Sequence, residues 1–274
     1  SSAYAYYDNQ APTINSVNIN NSIVQTGTPL GTWANVTDDI AVEGVTAEGN
    51  NLNRNGDNWT GTVTADDGIV NFTAYDKAGN QRKDSINYTI DDTPPTISNF
   101  DSNASNGGQT DIASSDTLLR FAVDSSDKHI DTVEIENKSS SSYNEMTPGS
   151  GDVWYLETTP ASLGMTNEQV YTLASKATDK AENTNSTNYE LRIDNGAPEV
   201  TEVRLSDKII QSNTGIKVNA TIEEESMDIA WANGKEMTET NGYWIANITV
   251  NSTTQNPVNV TAVDLAGNVG NNSR

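Results

Sequence analysis

The chain contains no cysteine, which excludes disulfides, thiolate zinc sites and a cysteine nucleophile. It has one histidine and three phenylalanines, and only 15 basic residues against 38 acidic ones, for a net charge of −23. A surface of that sign repels phosphate backbones and excludes nucleic acid as a partner. No apolar run approaches the roughly 18 residues that a membrane helix needs, so no membrane span is expected. Nor does a basic stretch followed by an apolar one open the chain, so any signal peptide has already been removed.

What is present is mostly small and polar. Hydrophobic residues make up 34 % and charged residues 19 %, and Asn, Thr, Ser, Asp and Gly dominate the rest. Asn, Ser, Thr and Asp compete with the helical backbone through their own side chains, so the composition favours strands joined by turns. The length of 274 residues suits two or three domains of about 100. The acidic surface has three readings: solubility, cation binding, or life in a salty medium. Solubility is the simplest.

Three segments open alike: Asp8-Asn-Gln-Ala-Pro12-Thr-Ile14, Asp91-Asp-Thr-Pro-Pro95-Thr-Ile97 and Asp194-Asn-Gly-Ala-Pro198-Glu-Val200. Proline lacks an N–H, so it belongs in a linker or at the edge position of a first strand. Apolar residues after it (Ile14, Val17, Ile19; Ile97, Phe100; Val200, Val203, Leu205) form that strand. Each unit also ends alike, in Ala74-Tyr-Asp76-Lys-Ala78-Gly-Asn80, Ala177-Thr-Asp179-Lys-Ala181-Glu-Asn183 and Ala262-Val-Asp264-Leu-Ala266-Gly-Asn268. Strands precede these turns, with Val70, Phe72, Ala74, then Val170, Thr172, Ala174, then Val258, Val260, Ala262 expected to face inward. Gly or Asn supplies the positive φ of the turn. A last strand follows, and Asp76 to Asp91 spans fifteen residues, as does Asp179 to Asp194.

Mid-unit, Trp59, Trp154 and Trp244 each follow a Gly turn, and read as core. Before them a strand ends in an acidic turn, at Asp38-Asp39, Asp124 and Glu223-Glu224. About seven short strands per unit imply an immunoglobulin-like sandwich. The fold expected is therefore all-β, three tandem immunoglobulin-like β-sandwich domains, the last lacking its final strand. The divisions are an N-terminal segment 1–8 and domains 9–91, 92–194 and 195–274. The middle unit is longer, and Ser139 to Ser142 marks an enlarged loop.

These motifs together resemble the bacterial and archaeal Ig-like repeat domains of cell-surface proteins: S-layer proteins, adhesins and filaments. The resemblance covers nearly the whole chain. It implies the fold firmly and the function only broadly, because this fold serves as a generic spacer and binding module. The absence of cysteine argues against animal-type immunoglobulin domains, where an inter-sheet disulfide is common, and points to a prokaryotic source.

The third unit needs a last strand reaching an Asp near position 279, yet the sequence stops at Arg274. Before Asp8, where other units have the preceding unit's last strand, stands Ser1-Ser-Ala3-Tyr4-Ala5-Tyr6-Tyr7. Ala3, Tyr4, Ala5, Tyr6 and Tyr7 therefore read as a donor strand, with Ala3, Ala5 and Tyr7 matched to Ile86, Tyr88 and Ile90; a one-residue slip buries Tyr4 and Tyr6 instead. Head-to-tail donation yields an open homopolymer. A piece cut from a longer array and a plain frayed terminus are the alternatives.

Thirteen Asn-x-Ser/Thr sequons occur: Asn20, Asn35, Asn58, Asn71, Asn87, Asn103, Asn137, Asn185, Asn219, Asn247, Asn251, Asn259 and Asn271. Chance in so Asn- and Thr-rich a chain gives roughly seven or eight. They read as N-linked glycan sites on outward faces. Asp8, Asp91, Asp92 and Asp194 at the unit junctions are candidate Ca²⁺ ligands that the Asp76/Asn80 and Asp179/Asn183 turns would meet. Plain turn capping is the competing reading. No other cofactor is implied.

No catalytic motif stands out. The single His129 reads as a solvated loop residue, and Asp38/Asp39, Asp66/Asp67 and Glu223–Glu225 as exposed turns. The function expected is a non-enzymatic subunit of an extracellular filament or surface appendage. The alternative is a spacer or ligand-binding segment of an S-layer protein or adhesin, and a carbohydrate-active enzyme's accessory module stands a distant third.

Overall fold

The structure is a computed structural model that describes residues 7–108, 110–140, 142–211, 213–251 and 257–273. Its strands fall into three groups along the chain. The first runs β1 (Thr13–Ile19), β2 (Ile23–Val24), β3 (Pro29–Thr37), β4 (Val42–Ala47) and β5 (Asn50–Asn51). It continues with β6 (Asn53–Asn55), β7 (Asn58–Thr64), β8 (Ile69–Asp76), β9 (Gln81–Asn87) and β10 (Thr89–Ile90). The second has β11 (Thr96–Ser102), β12 (Asp111–Ala113), β13 (Leu119–Ser126), β14 (Ile130–Asn137) and β15 (Ser142–Glu145). After them come β16 (Thr147–Pro148), β17 (Val153–Thr158), a 3₁₀ turn (Pro160–Leu163), β18 (Val170–Asp179) and β19 (Thr184–Ile193). The third has β20 (Glu199–Leu205), β21 (Thr214–Glu223), β22 (Met227–Ala232) and β23 (Lys235–Glu236). It closes with β24 (Thr238–Thr240), β25 (Tyr243–Val250), β26 (Asn259–Asp264) and β27 (Val269–Ser273).

The sheets repeat one plan. The first group makes β1-β3-β7-β6 and β5-β4-β8-β9, with a small parallel pair β10-β2. The second makes β11-β13-β17-β16 and β12-β19-β18-β14-β15, and the third β20-β21-β25-β24 and β23-β22-β26-β27. Packing divides the chain into two compact units. One holds the residues up to Thr96 with 126–132 and 177–185; the other holds 97–125, 133–176 and those from 186 onward.

Alternation builds the cores. In β3, Leu30, Thr32, Ala34 and Val36 are buried while Trp33 and Thr37 are exposed. With Val45, Trp59, Val63, Val70, Phe72 and Ala74 they fill the first core. Val203, Ile216, Val218, Ala220, Ala230, Val260 and Ala262 fill the third. The first strands are not strictly alternating, and a bulge is the reason. Register slips between Ile14 and Ser16, so Ile14, Val17 and Ile19 all reach the core at uneven spacing. The same slip between Val200 and Glu202 serves Val200, Val203 and Leu205.

Two expectations are corrected. In β18 Ala174 is buried as expected, but so are Tyr171, Leu173, Ser175 and Ala177, while Val170 is exposed and Thr172 half-buried. Buried Asp179 fixes the phase, and residues two, four and six before it share its face. The repeat tryptophans are also unequal: Trp59 is buried, whereas Trp154 and Trp244 are half-buried. In the third sandwich the described part of β27 spans five residues, Val269–Ser273, against ten in β19. Among the described residues no helix is long and apolar enough to cross a membrane.

Candidate functional site

The junction motifs converge on one arrangement, made three times. Asp76 is buried at the end of β8, and its carboxylate accepts from Asn80 N (2.9 Å) and Asn80 Nδ2 (2.8 Å). Desolvation works against ionisation there, but these bonds outweigh it and hold the Asp76 carboxyl below its usual range. Asp179 and Asp264 accept the same pair of bonds from Asn183 and Asn268. The turn needs a positive φ before the Asn. Gly79 (φ 92°) and Gly267 (φ 87°) supply it freely, whereas the middle copy places Glu182 there at φ 69°.

Each Asn then reaches the entry linker of its own sandwich. Asn80 Nδ2 donates to the backbone carbonyl of Asp8 (3.4 Å), Asn183 Nδ2 to that of Asp91 (2.8 Å), and Asn268 Nδ2 to that of Asp194 (3.0 Å). The turns therefore meet the junctions as expected, but through backbone carbonyls. Their own carboxylates are spent inside the turn.

The junction carboxylates face the acidic turn instead. Oxygens of Asp8, Asp38 and Asp39 lie within 4.8 Å of one another. Asp38 Oδ1 accepts from the backbone N–H groups of Ile40 (3.0 Å) and Ala41 (2.8 Å), while its Oδ2 is buried with no partner among the described residues. An orphaned buried oxygen beside two more carboxylates fits a hard cation such as Ca²⁺. At the second junction Asp91 and Asp127 meet His129, whose Nδ1 lies 2.6 Å from Asp91 Oδ2. At the third, Ser226 Oγ donates to Asp194 Oδ2 (2.8 Å) and lies 2.9 Å from Glu224 Oε1. These two junctions hold a side-chain donor where the first holds a third carboxylate. Asp92 stands apart: Thr26 N and Oγ1 both donate to it at 2.7 Å.

His129 is thus not a solvated loop residue, and that reading is corrected. Its side chain is 16 % exposed and paired with Asp91. The hydrogen bond from His129 holds the Asp91 carboxyl below its usual range against the opposing effect of burial. Asp38, Asp127 and Glu224 are the junction groups that sequence reasoning missed. The acidic turns at Asp38 and Glu224 were legible, but not that they and Asp127 fold back onto the Asp before the proline.

The sequons separate by exposure. Asn137 is buried at 1 %, with its amide nitrogen on the Leu163 carbonyl and its oxygen accepting from Ser139 N, so it is corrected from glycan site to structural cap. Asn35 and Asn219 are half-buried. Asn20, Asn58, Asn71, Asn87, Asn103, Asn185, Asn247, Asn251, Asn259 and Asn271 are exposed. Of the donor segment, Ala3, Tyr4, Ala5 and Tyr6 lie outside the described residues, and Tyr7 is 88 % exposed.

One further position differs between copies. Ile23–Val24 pairs in parallel with Thr89–Ile90, and Ile112–Ala113 with Arg192–Ile193. Counting from the first-strand bulge and the last turn, the third sandwich has Ile209–Ile210 in that place. No described strand pairs with them, and Ile209 is 96 % exposed.

No family model matches the chain. No curated protein matches it in sequence either. Among solved structures it is similar to the titin domains I67–I69, at 13 % identity over 97 % of this chain and 98 % of that one, TM-score 0.37. A fragment of a bacterial ice-binding adhesin gives 18 % identity over 97 % of each chain, TM-score 0.35. The N-terminal eight Ig domains of Down syndrome cell adhesion molecule give 12 % identity over 96 % of this chain and 41 % of that one, TM-score 0.36. Superpositions this loose carry no functional inference. The sheets themselves define the class, an all-β protein of tandem immunoglobulin-like sandwiches.

Proposed function

We propose that the chain is a non-enzymatic structural subunit of an extracellular filament or surface appendage, assembled head-to-tail into a homopolymer by donated strands. The observation that carries this reading is the pair Ile209–Ile210, which no described strand pairs with; Ile209 is exposed, while Ile210 packs on the third core. Its two counterparts each lie against the end of a last strand. An unpaired, apolar edge is a template for strand addition, which supplies backbone hydrogen bonds and covers the side chains together. The donor is the segment holding Ala3, Tyr4, Ala5, Tyr6 and Tyr7 of a neighbouring copy. The domains are 9–91, 92–194 and 195–274, with 1–8 as the donor arm.

The cell surface is the location this reading requires. N-linked glycans occupy exposed sequons such as Asn87, Asn103, Asn247 and Asn259, and Ca²⁺ belongs to the Asp8–Asp38–Asp39 junction, where the orphaned Asp38 oxygen supports it. The test is electron microscopy and size-exclusion of the chain with and without residues 1–8, and of Ile209→Asp. Filaments from the parent and monomers from both variants support the proposal. Equally stable monomers from all three overturn it and leave the spacer or adhesin-array reading in its place.

A further inference from the structure

The outer face of β1-β3-β7-β6 differs chemically from the matching faces of the other two sandwiches. Paired residues share a face, so the registers give its rows directly. Asn18, Trp33, Thr60 and Asn53 form one row. Ser16, Asn35, Asn58 and Asn55 form the next. Gly31 and Thr62 lie on the other side of the tryptophan, and Gly31 brings no side chain beside the ring. None of the chain's 15 basic or 38 acidic side chains belongs to these rows.

Trp33 is 41 % exposed at the centre of this polar field. The amides beside it are ordered rather than loose. Asn15 Nδ2 donates to Asn35 Oδ1 (2.8 Å) and to Thr37 Oγ1 (3.2 Å), and Asn35 Nδ2 donates to Asn58 Oδ1 (2.9 Å). A side-chain ladder of this kind fixes which amide edges remain for a ligand and lowers the cost of ordering them on binding.

The repeats supply an internal control. The positions of Gly31, Asn35 and Thr62 correspond to Arg120, Asp124 and Glu157 in the second sandwich, counted from the matching tryptophan pairs Ala34–Trp59 and Val123–Trp154. In the third, the places of Ser16, Asn18 and Gly31 hold Glu202, Arg204 and Lys217. Trp33 itself is replaced by Ala122 and Asn219. A structural requirement of the sandwich would recur in all three copies. The uncharged face and its tryptophan occur once.

The geometry points to this face as a binding site for a neutral carbohydrate, a free glycan whose C–H face stacks on the Trp33 indole while its hydroxyls exchange hydrogen bonds with Asn35, Asn58 and Thr60. An exposed aromatic ring supplies apolar area at small entropic cost. Amides and hydroxyls, each both donor and acceptor, match sugar hydroxyls as charged groups do not. An uncharged patch on a strongly acidic protein complements an uncharged ligand and disfavours an anionic one, which meets the repulsion of the whole chain. The inference stands whether or not the chain polymerises.

The test is native affinity electrophoresis of the full, unglycosylated chain through gels cast with a soluble β-glucan, with α-mannan, or with alginate as the anionic control. Retardation is expected in at least one neutral gel and not in alginate. Trp33→Ala weakens that retardation about tenfold, as loss of one stacked ring implies. Asn58→Asp, which places a charge in the face, weakens it as well. Tyr155→Ala, on the outer face of the second sandwich, leaves it unchanged. A urea transition like the parent's confirms that each variant is folded. Unretarded parent protein in both neutral gels overturns the inference, as does Trp33→Ala binding like the parent. So does glycopeptide mapping of the natural protein that finds Asn35 and Asn58 both occupied, since attached glycans would cover the face.

Discussion

Ile112 and Ile209 occupy the same place in the second and third sandwiches, yet one is 1 % exposed and the other 96 %. Ile112 lies on β12 against Arg192 in the full-length last strand β19. Ile209 has no described strand beside it. The residue type and the repeat position are identical, so neither decides burial. The presence of a neighbouring strand does.

That contrast gives the largest expected effect. Ile112→Ala should destabilise the chain by about 3 kcal/mol, the usual cost of emptying a fully buried aliphatic site. The same change at Ile209 should stay within about 0.5 kcal/mol in the monomer, as for other exposed positions. Urea midpoints at fixed slope measure both, and a cost at Ile209 approaching that at Ile112 would show a covered site and break the comparison.

The junction turns sharpen it at an intermediate scale. Asn183→Ala removes the donor shared by Asp179 Oδ2 and the Asp91 carbonyl, and leaves a buried carboxylate oxygen unpaired. A loss of about 2 kcal/mol follows. Asn80→Ala should cost less, because its bond to the Asp8 carbonyl is long at 3.4 Å and the residue is only half-buried. Equal losses at the two positions would mean that the linker bond contributes nothing and the turn everything.

The smallest effect concerns pH. Asp91 is held below its usual carboxyl range chiefly by the His129 hydrogen bond. A carboxyl lowered on folding stabilises the folded state fully above its unfolded pKa, and that contribution disappears as pH falls through the folded value. His129→Ala should therefore flatten the loss of stability on acidification below about pH 4. Urea midpoints measured at pH 6 and near pH 2.5 compare the two proteins. An unchanged acid limb would show that the contact carries no linkage. The first and third junctions hold Asp39 and Ser226 rather than an imidazole.

Much of this was legible in the sequence, and the failures are instructive. Pro12, Pro95 and Pro198, with the Asp-to-Asn turns, mark the repeats because proline and turn residues act through local backbone geometry, which needs no partner. The phase of β18 was misread at Val170 and Thr172, which alternate as plausibly as Tyr171, Leu173 and Ser175 until Asp179 is known to be buried, whereas Ala174 is buried as expected. His129 looks like a loop residue in sequence, and only the fold carries Asp91 to it across 38 positions. Asn137 has the same local motif as twelve other sequons, and burial alone distinguishes it. Trp33 went unnoticed as a surface group because a tryptophan within an alternating strand reads equally well on either face.

The sequence by itself determined the class of fold, the number of repeats and their punctuation, since period-two alternation and turn chemistry are properties of a few adjacent residues. Tertiary structure alone decided which of several like residues act. It set Asp38, Asp127 and Glu224 at the junctions, buried Asn137, exposed Ile209, and gathered Asn35, Asn58 and Trp33 on one uncharged face. Burial, pairing and cross-strand neighbourhood depend on segments far apart in the chain, and a strand carries no local record of what will lie beside it.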